Sequence, residues 1–171
     1  MRVIAGKARR LQLKSPSGYD TIPTTDKIKE TLFNIINPYL ADTDFLDLFS
    51  GSGAIGIEAL SRGVKSVAFV ENDKAYLECI KSNLNYTKLD SGAEIYPMGV
   101  KEAIRALEVK GKVFDFVYMD PPYNGMLERD ILLRLQLSNI IYCDTVIIVK
   151  TSRQTDFEYL KDTKLKISRI K

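Results

Sequence analysis

Two hydrophobic rhythms alternate along the chain. Short apolar runs rich in β formers occupy residues 44–49, 66–70, 93–97, 114–119 and 145–149, each with the length and composition of a buried strand. Between them apolar residues recur at helical spacing. Ile28, Leu32, Ile35 and Ile36 follow the N-cap candidates Thr24, Thr25 and Asp26, on a helix expected to end near Pro38. Leu77, Cys79, Ile80 and Leu84 fall on a helix capped by Asp73 and running to about Tyr86. Two more helices cover residues 100–107 and the stretch through Leu127, Ile131, Leu132 and Leu135, and a weaker alternation over 164–170 is a candidate for one more strand. Strands alternating with helices predict an α/β fold, a Rossmann-like and mainly parallel sheet with helices on both faces.

The amino-terminal stretch departs from this rhythm. Val3-Ile4, Gly6 and the alternation Leu11-Gln12-Leu13 predict two short strands joined by a turn. They display Arg2, Lys7, Arg9, Arg10 and Lys14, with no acid before Asp20. Such a cationic hairpin serves either as a charge-protected edge or as a phosphate contact. Residues 15–23, with Ser, Pro and Gly, read as a connecting loop.

Composition narrows the chemistry. At 171 residues one domain is expected. No apolar run approaches membrane-spanning length and the amino terminus lacks a signal-peptide pattern, so a cytoplasmic location without a membrane partner is expected. Cys79 and Cys143 lie far apart without CxxC spacing; core filling is expected of both, with no metal and no disulfide. The chain has no histidine. That excludes Ser-His and Cys-His nucleophile pairs and His-ligated zinc, leaving carboxylates, Lys, Tyr and backbone groups. The net charge of +3 does not by itself require a nucleic-acid partner.

Candidate chemistry gathers where strands end. Asp120-Pro121-Pro122-Tyr123 follows the run 114–119, and neither proline can donate to a ladder, so the tetrapeptide marks a strand's carboxyl end. Ligands bind at that edge of an open α/β sheet. Asp120 and the Pro121 carbonyl can each accept a hydrogen from an amino group on a planar base, and Tyr123 offers a stacking face. A second centre is Asp47-Leu48-Phe49-Ser50-Gly51-Ser52-Gly53, a glycine turn entering a helix expected to stop at Gly63. Its amides suit an anionic group. Glu71 ends the next strand about 20 residues past Gly51, the distance at which an acid meets a ribose diol in nucleoside-binding folds. Asp47 faces a ligand ammonium or braces the turn. Both a dinucleotide and S-adenosylmethionine would use the turn and the ribose acid; only the latter brings an ammonium for Asp47 and a carboxylate for the amides.

Asp120-Pro121-Pro122-Tyr123 together with Asp47 to Gly53 resembles the class I S-adenosylmethionine-dependent methyltransferases that modify exocyclic amino groups of bases. The similarity is narrower with the RsmD-type guanine-N2 methyltransferases of small-subunit ribosomal RNA. It takes in Arg2-Val3-Ile4-Ala5-Gly6-Lys7, the stretch from Pro23-Thr24-Thr25-Asp26 to Asn34, and that from Gly56 to Gly63. The resemblance implies a single methyltransferase domain over 1–171, with a basic hairpin and loop over 1–22 and a Rossmann-like catalytic core over 23–171. It implies S-adenosylmethionine as cofactor, bound by Asp47, Phe49, Ser50, Gly51, Ser52, Gly53, Glu71, Asn72 and Asp120. Asp120, Pro121, Pro122 and Tyr123 would act on the base, and Arg2, Lys7, Arg9, Arg10 and Lys14 on RNA. The implied partner is ribosomal RNA or an assembling small subunit, met by a monomer, and the implied target is of the guanine-966 type in rRNA numbering. Adenine-N6 methylation of DNA or RNA is the alternative.

Three positions depart from the family pattern. Met98-Gly99 stands where a polar side chain commonly meets the adenine amino group, and Ile22 stands where Arg is common. The chain also stops just after the candidate sixth strand, so the family's antiparallel seventh strand is expected to be missing.

Overall fold

The computed structural model describes residues 1–16, 25–122, 126–152 and 154–171. Five strands, β1 (Asp44–Asp47), β2 (Ser66–Glu71), β3 (Ala93–Pro97), β4 (Phe116–Met119) and β5 (Val146–Val149), form one sheet. Their order is β3-β2-β1-β4-β5 and every pairing is parallel. Parallel neighbours need long crossovers, which carry α2 (Ala54–Ser61), α3 (Lys74–Thr87), α4 (Val100–Val109) and α5 (Leu127–Leu135), while α1 (Asp26–Ile36) precedes β1.

The two-residue period of the strands divides the core into two layers. Phe45, Val67, Phe69, Phe116 and Tyr118 belong to one cluster with Phe33, Ile57 and Ile80 from α1, α2 and α3. Leu46, Ala68, Val70, Val117 and Met119 belong to the other with Ile104, Leu107, Ile131 and Leu135 from α4 and α5. Both faces of the sheet are therefore covered, as a parallel sheet requires. Caps fall where the sequence places them. Thr25 Oγ1 accepts from the Ile28 amide, Asp73 accepts from Ala75 and Tyr76, and Gly63 leaves α2 at φ +100°.

Several expectations need correction. The amino-terminal hairpin has no strands, only one antiparallel bridge between Arg2 and Gln12. Val3, Arg10 and Leu13 donate across the arms to Leu11, Val3 and Met1, but other amides turn to the helices: Ile4 and Ala5 donate to the Glu58 carboxylate, Lys7 to Ser61 O, and Lys14 to Asn83 Oδ1. β4 starts at Phe116, because Asp115 holds the start of β1 by accepting from the Asp44 amide at 2.7 Å. The strand expected over 164–170 does not form: Lys164 donates to Gln136, while Ile167 and Ile170 are 51% and 83% exposed, so alternation there buries no apolar face. Among the described residues the sheet has neither a sixth strand nor an antiparallel seventh. Cys79 is buried as expected, whereas Cys143 is exposed and fills no core.

Candidate active site

Strand order reverses between β1 and β4, since the chain moves outward through β2 and β3 and then returns to the other side of β1. A crevice forms at such a switch point, outside the carboxyl ends of the strands. Asp47 is the last residue of β1, Glu71 the last of β2, and Asp120 follows Met119 at the end of β4. The parallel registers bring these three acids to one edge.

The glycine turn joins β1 to α2. Gly53, the N-cap of α2, sits at φ +80°, where a side chain would be strained. Ser50 stiffens the turn: its Oγ donates to Asp47 O, its amide to Val70 O and its carbonyl accepts from Gly53. Ser52 O accepts from Asn83 Nδ2. Gly56 is excluded from being larger by space, because a Cβ there would lie 2.3 Å from Phe69 Cε1. That close approach lets the Gly56 amide reach Asp47 Oδ2 at 3.2 Å.

Asp47 is 1% exposed, and Oδ1 reaches no donor at hydrogen-bond geometry among the described residues. Burial pushes its carboxyl up to about 7, with the charges of Asp120 and Glu71 adding to the rise. The Gly56 amide, and more weakly the Phe49 amide, act against it. The bracing role weighed for Asp47 is thus real for one oxygen and leaves the other unused.

Glu71 is more fully engaged. Oε2 accepts from Gly51 at 2.8 Å, and Oε1 accepts from Asn72 at 2.8 Å and Asp73 at 2.9 Å. A carboxylate has about four lone-pair directions, so three amides leave room for one further donor. Glu71 and Asn72 line a cleft of about 240 Å³ with Leu48, Phe49, Val70, Met98, Gly99, Val100, Lys101, Glu102, Leu127 and Ile131. Gly51, Asp47 and Asp120 lie off its walls. The expected single crevice is therefore split, into an apolar cleft reaching Glu71 and an acidic edge holding Asp47 and Asp120. Met98-Gly99 contributes an apolar stretch of wall.

Asp120 remains at the surface, its side chain 21% exposed, and Oδ2 accepts from Lys150 Nζ at 2.6 Å. Sequence reading missed Lys150, although a Lys directly after the run 146–149 stands at a strand's carboxyl end as Asp120 does. Pro121 is described and buried, and Tyr123 lies outside the described residues, as do Ile22, Pro23 and Thr24. Of the basic hairpin residues, Arg2 pairs with Asp26 at 3.1 Å, and the side chains of Lys7, Arg9, Arg10 and Lys14 are exposed. Among the described residues, no group of three or more potential metal ligands is present, and no helix is long and apolar enough to cross a membrane.

The profile of the family described as "Conserved hypothetical protein 95" matches residues 1–169. The chain belongs to that family. The chain is similar to "Putative rRNA methyltransferase YlbH" of Bacillus subtilis, with 36% identity over 156 residues, 91% of this chain and 85% of that protein. It is also similar to ribosomal RNA small subunit methyltransferase D of Haemophilus influenzae, at 35% identity over 154 residues, 90% of this chain and 79% of the relative. A solved structure, "Putative methyltransferase yhhF from Escherichia coli", superposes with a TM-score of 0.77 at 34% identity, covering 91% of this chain and 84% of that one. That solved structure therefore shares the fold described above.

Proposed function

We propose that this enzyme transfers a methyl group from S-adenosylmethionine to the exocyclic N2 of a guanine in small-subunit ribosomal RNA, of the guanine-966 type. The observation that carries the reading is the buried Asp47 carboxyl with one unused oxygen, flanked by the charges of Glu71 and Asp120. Three acids at one sheet edge favour a ligand with positive charge and disfavour a pyrophosphate. S-adenosylmethionine has an ammonium and a sulfonium, and the names of the family relatives point to ribosomal RNA as the acceptor.

In this reading Asp47 Oδ1 holds the ammonium, and the amides of the glycine turn hold the cofactor carboxylate. Glu71 takes one ribose hydroxyl with its remaining lone pair. Phe49 and Met98 flank the adenine, with the Met98 thioether supplying a polarisable contact in place of a hydrogen bond. The cofactor supplies an electrophilic methyl group on a sulfonium.

Guanine N2 is a poor nucleophile because its lone pair is delocalised into the ring. Asp120 and the Pro121 carbonyl accept its two hydrogens, which draws the nitrogen toward tetrahedral geometry and stabilises charge as it develops. The N–C bond forms as the C–S bond breaks, sulfur keeps the electron pair, and the proton leaving N2 passes to Asp120 or to water. Alignment of the two reactants contributes most of the acceleration. A paired guanine hides N2, so the target base must be unpaired or flipped, with Tyr123 stacking on it. Exposed Lys7, Arg9, Arg10 and Lys14 hold neighbouring phosphates.

The test is incubation of the protein with labelled S-adenosylmethionine and small-subunit particles from cells lacking it, followed by nucleoside analysis. N2-methylguanosine is expected from the natural protein, and none from Asp120→Ala despite retained S-adenosylhomocysteine binding. N6-methyladenosine as the product would replace the guanine reading with the adenine one.

A further inference from the structure

We infer that Lys150 is a positioning residue for methyl transfer, fixing and charging the Asp120 carboxylate that faces the target amine. The inference rests on the role given to Asp120 above. β4 and β5 pair in register with Met119 opposite Val149, and the Lys150 amide donates to Met119 O at 2.9 Å. The residue after each strand therefore stands beside the other at the carboxyl edge. There Lys150 Nζ meets Asp120 Oδ2 at 2.6 Å, with the two side chains 23% and 21% exposed. A pair so shielded is screened less than a surface ion pair, so its charge counts.

Asp120 has two requirements that pull apart. It must be ionised to accept from N2, yet it stands near Asp47, and Glu71 adds a third acid to the same edge. Like charges favour protonation of one of the set. Lys150 opposes this from β5 and binds one oxygen of Asp120, which turns the carboxylate through a charge-assisted hydrogen bond. Among the described residues, the charged groups near this edge include Asp47 of β1, Glu71 of β2 and Lys150 just past β5, with Lys101 and Glu102 of α4 on the cleft that reaches Glu71 and Glu128 and Arg129 in the first turn of α5. Lys150 is a cation in direct contact with Asp120.

Lys150 does not touch the reacting atoms in this scheme, so its signature is a change in the pH profile of transfer and not in substrate binding. Full-length Lys150→Met and Lys150→Gln are compared with Lys150→Arg, using small-subunit particles from cells lacking the protein and labelled S-adenosylmethionine. Folding is checked by S-adenosylhomocysteine binding, and the Gln variant serves if the Met variant is unstable. For Met and Gln, kcat is expected to fall about tenfold, and the acid limb of its pH profile to move up by about one unit. RNA KM and S-adenosylhomocysteine affinity are expected to stay within about twofold, and Arg is expected to restore the limb. An unmoved limb, or a loss confined to RNA KM, overturns the inference. Asp120→Asn separates this from the parent reading: full activity there sinks both, whereas an inactive Asp120→Asn with an unmoved Lys150 limb sinks the Lys150 role alone.

Discussion

Two carboxylates, Glu58 and Asp47, are sealed from solvent on either side of the same short helix α2, and they have opposite surroundings. Glu58 is 0% exposed and saturated. Ile4, Ala5 and Arg62 donate to it, and Lys29 Nζ lies 3.5 Å away, itself fully buried and donating to Arg2 O. Asp47 is buried to nearly the same degree, yet only the Gly56 amide and, more weakly, the Phe49 amide favour its charge, and two acids are its electrostatic neighbours. A buried charge surrounded by donors and counter-charges is a structural joint. One surrounded by like charges, with an oxygen left over, is built to receive something. The first joins the amino-terminal loop to α1 and α2; the second ends β1 at the carboxyl edge of the sheet.

The largest effect should come from breaking the joint. Glu58→Gln leaves Lys29, whose ammonium burial already pushes down, without its counter-charge. Unpairing a buried ion costs about 3–5 kcal/mol, and a drop in Tm of roughly 10 °C is expected. S-adenosylhomocysteine affinity below the transition should hold. If Tm is unchanged and cofactor binding vanishes, Glu58 belongs to the site and the contrast with Asp47 fails.

Asp47→Asn should do the reverse. It removes a carboxyl whose ionisation the fold resists, so Tm should hold or rise. The partner proposed for the ligand ammonium is lost, and S-adenosylhomocysteine affinity should fall about 30-fold. Calorimetry and a melting curve on one sample measure both. A fall in Tm with unchanged affinity would make Asp47 a second structural joint.

The same carboxyl sets a pH dependence. Its ordinary value is 3.8 and its folded value about 7, so the folded, cofactor-free chain holds the extra proton between them. Stability from this group is complete below the lower value and is lost as pH rises through the window. Glu94, pulled down by Lys112, works in the opposite direction but below the ordinary carboxylate range, so pH 5 to 7 isolates Asp47, roughly. S-adenosylhomocysteine, which needs the ionised form, should bind up to about tenfold more tightly per pH unit there, with proton release and a plateau above about pH 7. Urea melts and calorimetry in two buffers test both slopes, and Asp47→Asn should flatten them.

These contrasts were unevenly legible in the sequence. The parallel sheet, its helices and the three edge acids follow from hydrophobic period and from where apolar runs meet Gly, Pro and acids, all local signals. Glu58 and Lys29 could be quoted in a motif but not paired, because their contact depends on how α1 lies across α2. Lys150 was missed for a similar reason, since it meets Asp120 only through the register of β4 with β5. The amino-terminal arms pair through a single bridge and not as strands, because alternation carries no sign that α2 and α3 will take the amides of Ile4, Ala5, Lys7 and Lys14. The 164–170 stretch failed on the other count, an alternating pattern with no neighbour to bury against.

Gly6 tests the joint more gently than Glu58. It sits at φ +82°, and a Cβ there would lie 1.8 Å from Ser61 O, a backbone atom. Gly6→Ala must lift the loop from α2, with an expected cost of about 2 kcal/mol. RNA affinity should weaken because the loop's cations lose their fixed position, while S-adenosylhomocysteine binding should be unchanged.

The smallest effects are expected at the exposed cations. Lys7→Ala and Arg9→Ala remove side chains that meet solvent in the free protein, so neither Tm nor cofactor affinity should change measurably. If each holds one phosphate, removing it should reduce the slope of log affinity against log salt by about 0.7 for a single-stranded target and about 0.9 for a duplex. Affinity itself should fall only a few-fold near physiological salt, equally for all RNA sequences. Filter binding of small-subunit RNA across a salt series reads the slope, and transfer at saturating RNA should keep its kcat. A lowered kcat with an unchanged slope would move these residues from docking to the chemistry, and the division between a saturated joint on one side of α2 and a reactive edge on the other would no longer hold.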